Sequence, residues 1–167
     1  MYREGTLLVH PTYGVCKVMQ IGKVDLGHIK NERIYYTLVP LYDAKSKLYI
    51  PTDSEGLGIR PVMTKECAME LIHHLSEIEP LQVQNEKERE KIFKELLKTG
   101  DCENISRIIK TLYLRKQERL LQGKKAVSLD EKYLFIAREH LYGELAVSLG
   151  IEKDGVEEYI TKCIEKV

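Results

Sequence analysis

The hydrophobic period changes once along this 167-residue chain, at about Arg60-Pro61, and that change most limits what it can fold into. Before it, short runs of β-branched and aromatic residues alternate with turn residues; after it, apolar residues recur about every 3.6 positions. The predicted strands are Thr6 to Val9, Val15 to Ile21, Arg33 to Leu41 and Lys47 to Ile50. Between them lie the turn Pro11-Thr12-Tyr13-Gly14, then Gly22, Gly27-His28 and Tyr42-Asp43-Ala44-Lys45. A sheet this small hides its edges poorly, so residues 1–62 are expected to close as an SH3-like or Tudor-like β-barrel with one edge left for a partner strand.

Residues 63–167 read as an all-α domain of about five helices, which makes the fold class α+β. Thr64 caps a helix with Ala68, Leu71, Ile72 and Leu75 on one face, ended by Pro80. A second runs from about Asn85, buries Ile92, Phe93, Leu96 and Leu97, and stops at Thr99-Gly100, where Gly100 serves as its C-terminal cap and Asp101 caps the third. The third carries Ile105, Ile108, Ile109 and Leu112 to about Leu121, and the loop Gln122 to Val127 follows. Ser128-Leu129-Asp130-Glu131 has the capping-box pattern and opens a fourth helix, to about Leu149, that is apolar on two sides and therefore central. A last helix runs from about Lys153 to Lys166.

Net charge is zero, which argues against attachment to nucleic acid by bulk electrostatics alone. The distribution is uneven. Residues 81–125 carry twelve Lys+Arg against seven Asp+Glu, whereas residues 126–167 carry five against nine, so phosphates would be attracted only to the middle of the chain. Within it, Arg107, Lys110, Arg115, Lys116, Arg119, Lys124 and Lys125 read either as a solvated helix face or as a DNA-contacting set. Tyr35, Tyr36, Tyr42 and Tyr49 are likewise open between strand packing and a binding platform.

No nucleotide-binding, metalloprotease or serine-hydrolase motif is present, so an enzyme is not expected, nor a cofactor or metal. Adjacent His73 and His74 point about 100° apart on a helix and could not chelate one ion unaided. His10 reads as structural or as part of a partner surface. Cys16, Cys67, Cys102 and Cys163 form no C-x-x-C pair and are expected to be reduced and mostly buried. With no run of eighteen apolar residues and no signal-like start, the expected location is the cytoplasm, without membrane contact.

Leu8-Val9-His10-Pro11-Thr12-Tyr13-Gly14-Val15-Cys16-Lys17-Val18, then Tyr35-Tyr36-Thr37-Leu38, then Lys47-Leu48-Tyr49-Ile50-Pro51-Thr52-Asp53 together resemble the polymerase-interacting module shared by CarD/CdnL regulators and the transcription-repair coupling factor. Gly56 to Val62, Leu97-Lys98-Thr99-Gly100-Asp101, Gln117-Glu118-Arg119 and Gly143-Glu144-Leu145-Ala146 are similar to the linker and helical domain of CarD proteins, so the resemblance spans essentially the whole chain. It implies a Tudor-like barrel that docks on the β subunit of RNA polymerase by strand addition, here through Lys47, Leu48, Tyr49, Ile50 and Pro51. It also implies a helical domain at promoter DNA, where an Asn-Trp pair wedges the minor groove. Asn85 falls at that Asn, but Glu86 stands where the Trp would be, and the chain has no Trp. The DNA-contacting candidates are then Asn85, Lys87, Arg89, Arg115, Arg119, Lys124 and Lys125, making weaker, mainly phosphate-directed contacts. The expected function is regulation of transcription by modulating open-complex formation; the alternative is a polymerase-binding adaptor whose helical domain meets a protein partner instead of DNA.

Overall fold

The structure, a computed structural model, describes residues 1–25, 27, 32–53 and 58–165. His28 of the predicted turn, Gly56 and Leu57 of the linker, and Lys166 of the last helix lie outside the described residues. The chain divides into two compact units, Met1–Val62 and Met63–Val167.

The first unit is a five-stranded antiparallel sheet: β1 (Leu7–His10), β2 (Gly14–Gly22), β3 (Tyr35–Pro40), β4 (Leu48–Pro51) and β5 (Arg60–Pro61). Gly14, at φ 67°, makes the β1–β2 turn, and the ring Nδ1 of His10 accepts from the Thr12 and Tyr13 amides across it. His10 is therefore a turn-holding residue. Alternation along the strands brings Leu8, Cys16, Val18, Tyr36, Leu38 and Ile50 together as one core. Burial there pushes the Cys16 thiol up to about 11, so it stays an uncharged apolar filler.

The strand order is β4-β3-β2-β1-β5, and this sheet is open, which corrects the expected closed barrel. β5, unforeseen in the sequence, pairs among the described residues only with β1, through Leu8↔Pro61 and Val9↔Arg60. A two-residue strand ending in Pro has too few amide donors to carry a closing ladder onward. β4 and β5 therefore remain the two margins.

Among its described residues the second unit has five helices: α1 (Lys65–His74), α2 (Glu86–Thr99), α3 (Cys102–Leu121), α4 (Ser128–Leu149) and α5 (Val156–Glu165), with one 3-10 turn before α5. Thr64 caps α1 by accepting from the Cys67 amide. The helix ends at His74, six residues before Pro80, and side chains of α3 hold carbonyls of the segment that follows it. Lys110 Nζ donates to Ser76 O at 2.8 Å, and Arg107 Nε donates to Glu79 O at 3.3 Å. Between α2 and α3, Gly100 at φ 64° donates its amide to Leu97 O, and Asp101 accepts from the Glu103 and Asn104 amides. One left-handed glycine followed by one cap turns the corner.

α4 packs against α1, α2, α3 and α5, as its two apolar sides require. Phe93, Ile108, Leu112, Leu134, Ala137, Leu141 and Leu145 form the centre of the core. Fully burying Phe93 alone contributes about 1.5–3 kcal/mol. The predicted capping box of α4 does not form. Val127 holds the cap position without a side-chain bond, Ser128 is the first helical residue, and Asp130 turns inward. Among the described residues no helix is long and apolar enough to cross a membrane.

Candidate functional site: a strand margin and an ion-paired helix face

β4 pairs with β3 through Tyr36↔Ile50, Thr37↔Tyr49 and Leu38↔Leu48. Beyond the strand end, the Thr52 amide donates to Ile34 O at 2.9 Å. In an antiparallel ladder hydrogen-bonded and non-bonded pairs alternate. With Thr52 bonded inward, Ile50 and Leu48 are also bonded inward, while the main-chain groups of Tyr49 and the carbonyl of Pro51 point away from the sheet. Ile50 is buried and Leu48 half-buried, which anchors the strand. Tyr49 is 41% exposed, and Lys47, just before the strand, is exposed. β4 is the last strand on its side, and its outer margin has no partner strand among the described residues. Pro51 brings no amide to that margin, so Tyr49 is the strand's main outward N–H donor.

The candidate DNA contacts of the second unit fare differently. Asn85 is the α2 cap, its Oδ1 accepting from the Lys87 amide at 3.0 Å, so that side-chain oxygen serves the helix. The Lys87 side chain is exposed. Arg89 is not a surface cation, contrary to the sequence expectation: it is only 4% exposed. Its Nη2 lies 3.1 Å from Asp130 Oδ1 and its Nη1 3.5 Å from Glu86 Oε1. Arg115 brackets the same two carboxylates, with Nε 2.7 Å from Asp130 Oδ2 and Nη2 2.7 Å from Glu86 Oε1. Hydrogen bonding from Arg115, reinforced by its charge and that of Arg89, holds the Glu86 carboxyl below its ordinary value of 4.5.

Asn85, Glu86, Arg89 and Arg115 thus meet at the head of α2. Arg119 lies one turn beyond Arg115, and its Nε donates to Lys125 O at 2.8 Å, folding the loop back so that Lys124 and Lys125 stand exposed at the end of α3. Lys116 pairs with Glu131 at 3.1 Å. Arg107 and Lys110, at the far end of α3, are occupied on carbonyls of the segment after α1. His73 and His74 are both exposed, and among the described residues no set of three or more His, Cys, Asp or Glu could hold a metal.

Sequence reasoning missed Asp130 and Glu144. Asp130 was masked by its place in a capping pattern. Arg89, four residues before Phe93 on the buried face of α2, was the available signal that an inward carboxylate had to exist. Glu144 is 2% exposed, accepts from the Met63 amide at 2.9 Å and from Cys102 Sγ at 3.1 Å, and so ties the start of this unit to α3 and α4. Ser148 Oγ completes the tie by donating to Met63 O at 2.8 Å.

A small open sheet with a free margin, followed by a helical unit built around one central helix, defines a two-module protein. Residues 2–63 match the domain family described as the CarD-like/TRCF RID domain, and residues 70–161 match the CarD C-terminal domain. The chain belongs to the CarD family, and its first unit has the Tudor-like fold class of that module, with the sheet open. It is 24% identical over 160 residues, 95% of this chain and 99% of the relative, to the Bacillus subtilis (strain 168) protein named "Putative transcription factor YdeB". Family and relative support a transcription-related role.

Proposed function

We propose that this protein binds bacterial RNA polymerase by adding β4 to a strand of the β subunit and modulates promoter open-complex formation through its helical unit. The observation that carries the reading is the unpaired margin of β4, with the Tyr49 main chain pointing outward and Leu48 and Ile50 held in the core. Main-chain pairing supplies affinity in this mode and neighbouring side chains supply selectivity. The protein works as a cytoplasmic binding protein and not as an enzyme. Its promoter contacts are directed at phosphates by Lys87, Arg119, Lys124 and Lys125, since no Trp is present to act as a wedge.

The test is open-complex lifetime with purified polymerase, comparing the native chain with Glu86→Trp. Binding to polymerase and a stronger effect of Glu86→Trp are expected; no binding at low salt would overturn the proposal. A second reading, in which the helical unit meets a protein instead of DNA, is favoured by the engagement of Arg89 and Arg115 with internal carboxylates. Promoter footprints that do not change on adding the protein would select it.

A further inference from the structure

The head of α2 carries more cationic capacity than its own carboxylates use. Arg89 is buried, yet its Nε and Nη1 hydrogen-bond nothing among the described residues. On the outer side the Glu86 carboxylate lies 3.5 Å from Nη1. Arg115 gives its Nε side to buried Asp130 and its outer Nη2 to the same Glu86 oxygen. Asp130 is fixed in the core; Glu86 is 71% exposed and approaches from solvent. Both guanidinium groups therefore share one inner anion and one replaceable outer anion. Arg119 adds a further positive charge that acts on Glu86, and the positive end of the α2 macrodipole points to the same place.

We propose that this is a phosphate site held closed by its own carboxylate: Glu86 stands where an oxygen of a nucleic-acid phosphodiester binds Arg115 and Arg89. The inference rests on the reading that the helical unit meets DNA, and it adds how that contact is restrained. An incoming phosphate oxygen displaces the Glu86 carboxylate into solvent and takes over the outer Nη2 of Arg115, leaving the pairs to Asp130 intact. Guanidinium groups suit this exchange because carboxylate and phosphate offer the same pair of acceptor oxygens. The native chain then binds phosphates weakly, since each must compete with a tethered anion.

The test uses the full chain as wild type, Glu86→Gln and the double variant Glu86→Gln/Arg115→Ala. Inorganic phosphate is titrated against the Arg115 Nε–Hε NMR signal, and a promoter-length duplex is titrated by fluorescence anisotropy across a salt series. Glu86→Gln should move the Arg115 signal at lower phosphate than wild type does. It should also bind the duplex roughly 5- to 10-fold more tightly near 0.1 M salt, with a log–log salt slope steeper by about 0.9, the signature of one added phosphate contact. The double variant should lose both gains. Glu86→Ala, which leaves no side-chain amide to hold Arg115, should act in the same direction, and its thermal midpoint verifies that the unit is folded. Equal phosphate and duplex binding by wild type and Glu86→Gln overturns the inference while leaving DNA binding in place. A Glu86→Gln response to phosphate without duplex binding supports the site and removes its nucleic-acid occupant.

Discussion

The two units present their candidate sites in opposite ways. In the sheet unit the groups available to a partner belong to the main chain of β4, and side chains matter chiefly by anchoring the strand through Leu48 and Ile50. In the helical unit everything depends on side-chain identity, and the cations most suggestive in the sequence are engaged within the chain: Arg89 and Arg115 by Asp130 and Glu86, Arg107 and Lys110 by carbonyls of the segment after α1. A count of basic residues therefore overstates what a ligand meets. A strand margin, by contrast, is available because of its position in the sheet.

The sharpest way to break this comparison is Asp130→Ala, which strands Arg89 in the core. The helical unit should lose about 3–5 kcal/mol in urea unfolding, while the signals of the sheet unit hold their midpoint. Equal loss in both units would mean that the two are not separately stabilised.

Next comes Tyr49→Pro, which deletes the outward amide without removing a ladder bond. Polymerase binding should weaken about 3- to 10-fold, as expected for one lost hydrogen bond, with far-UV circular dichroism unchanged. An unaffected affinity would place the contact elsewhere.

A smaller effect concerns acid. Because the folded-state pKa of Glu86 is depressed, its contribution to stability is present above its ordinary value of 4.5 and is lost as pH falls through the lowered folded value. Glu86→Gln should flatten the stability profile of the helical unit over that acidic window, read by thermal unfolding at stepped pH. Smallest is thiol access. Cys67 is exposed, Cys163 is half-buried, and Cys16 and Cys102 are buried, so maleimide should label Cys67 first, Cys163 more slowly and the remaining two only on unfolding.

Much of the architecture was legible because local signals and tertiary structure agree. Gly100 followed by Asp101 marked the α2–α3 corner, and the doubled apolar stripe of α4 marked the central helix. The sheet resisted at β5, since a strand of two residues has no periodicity to read, and barrel closure depends on pairings far apart in sequence. The capping box of α4 misled because an acidic residue in a first helical turn serves a cap, a dipole or a distant guanidinium equally well, and only three-dimensional placement selects among them. Strand position was readable to within one residue at β4, expected over Lys47 to Ile50 and found over Leu48–Pro51. Burial of Arg89 was readable only by setting its charge against its spacing from Phe93.

The proline that closes β4 also bears on how copies of this chain could meet. An unpaired strand invites copies of the same chain to stack on it, and each added copy must find donors at successive outward positions. Here the run ends after a single residue, because the next outward position has a ring in place of a hydrogen. Beyond Tyr49 the β4 margin therefore offers an added strand no further amide, which works against stacking of identical molecules on that side of the sheet.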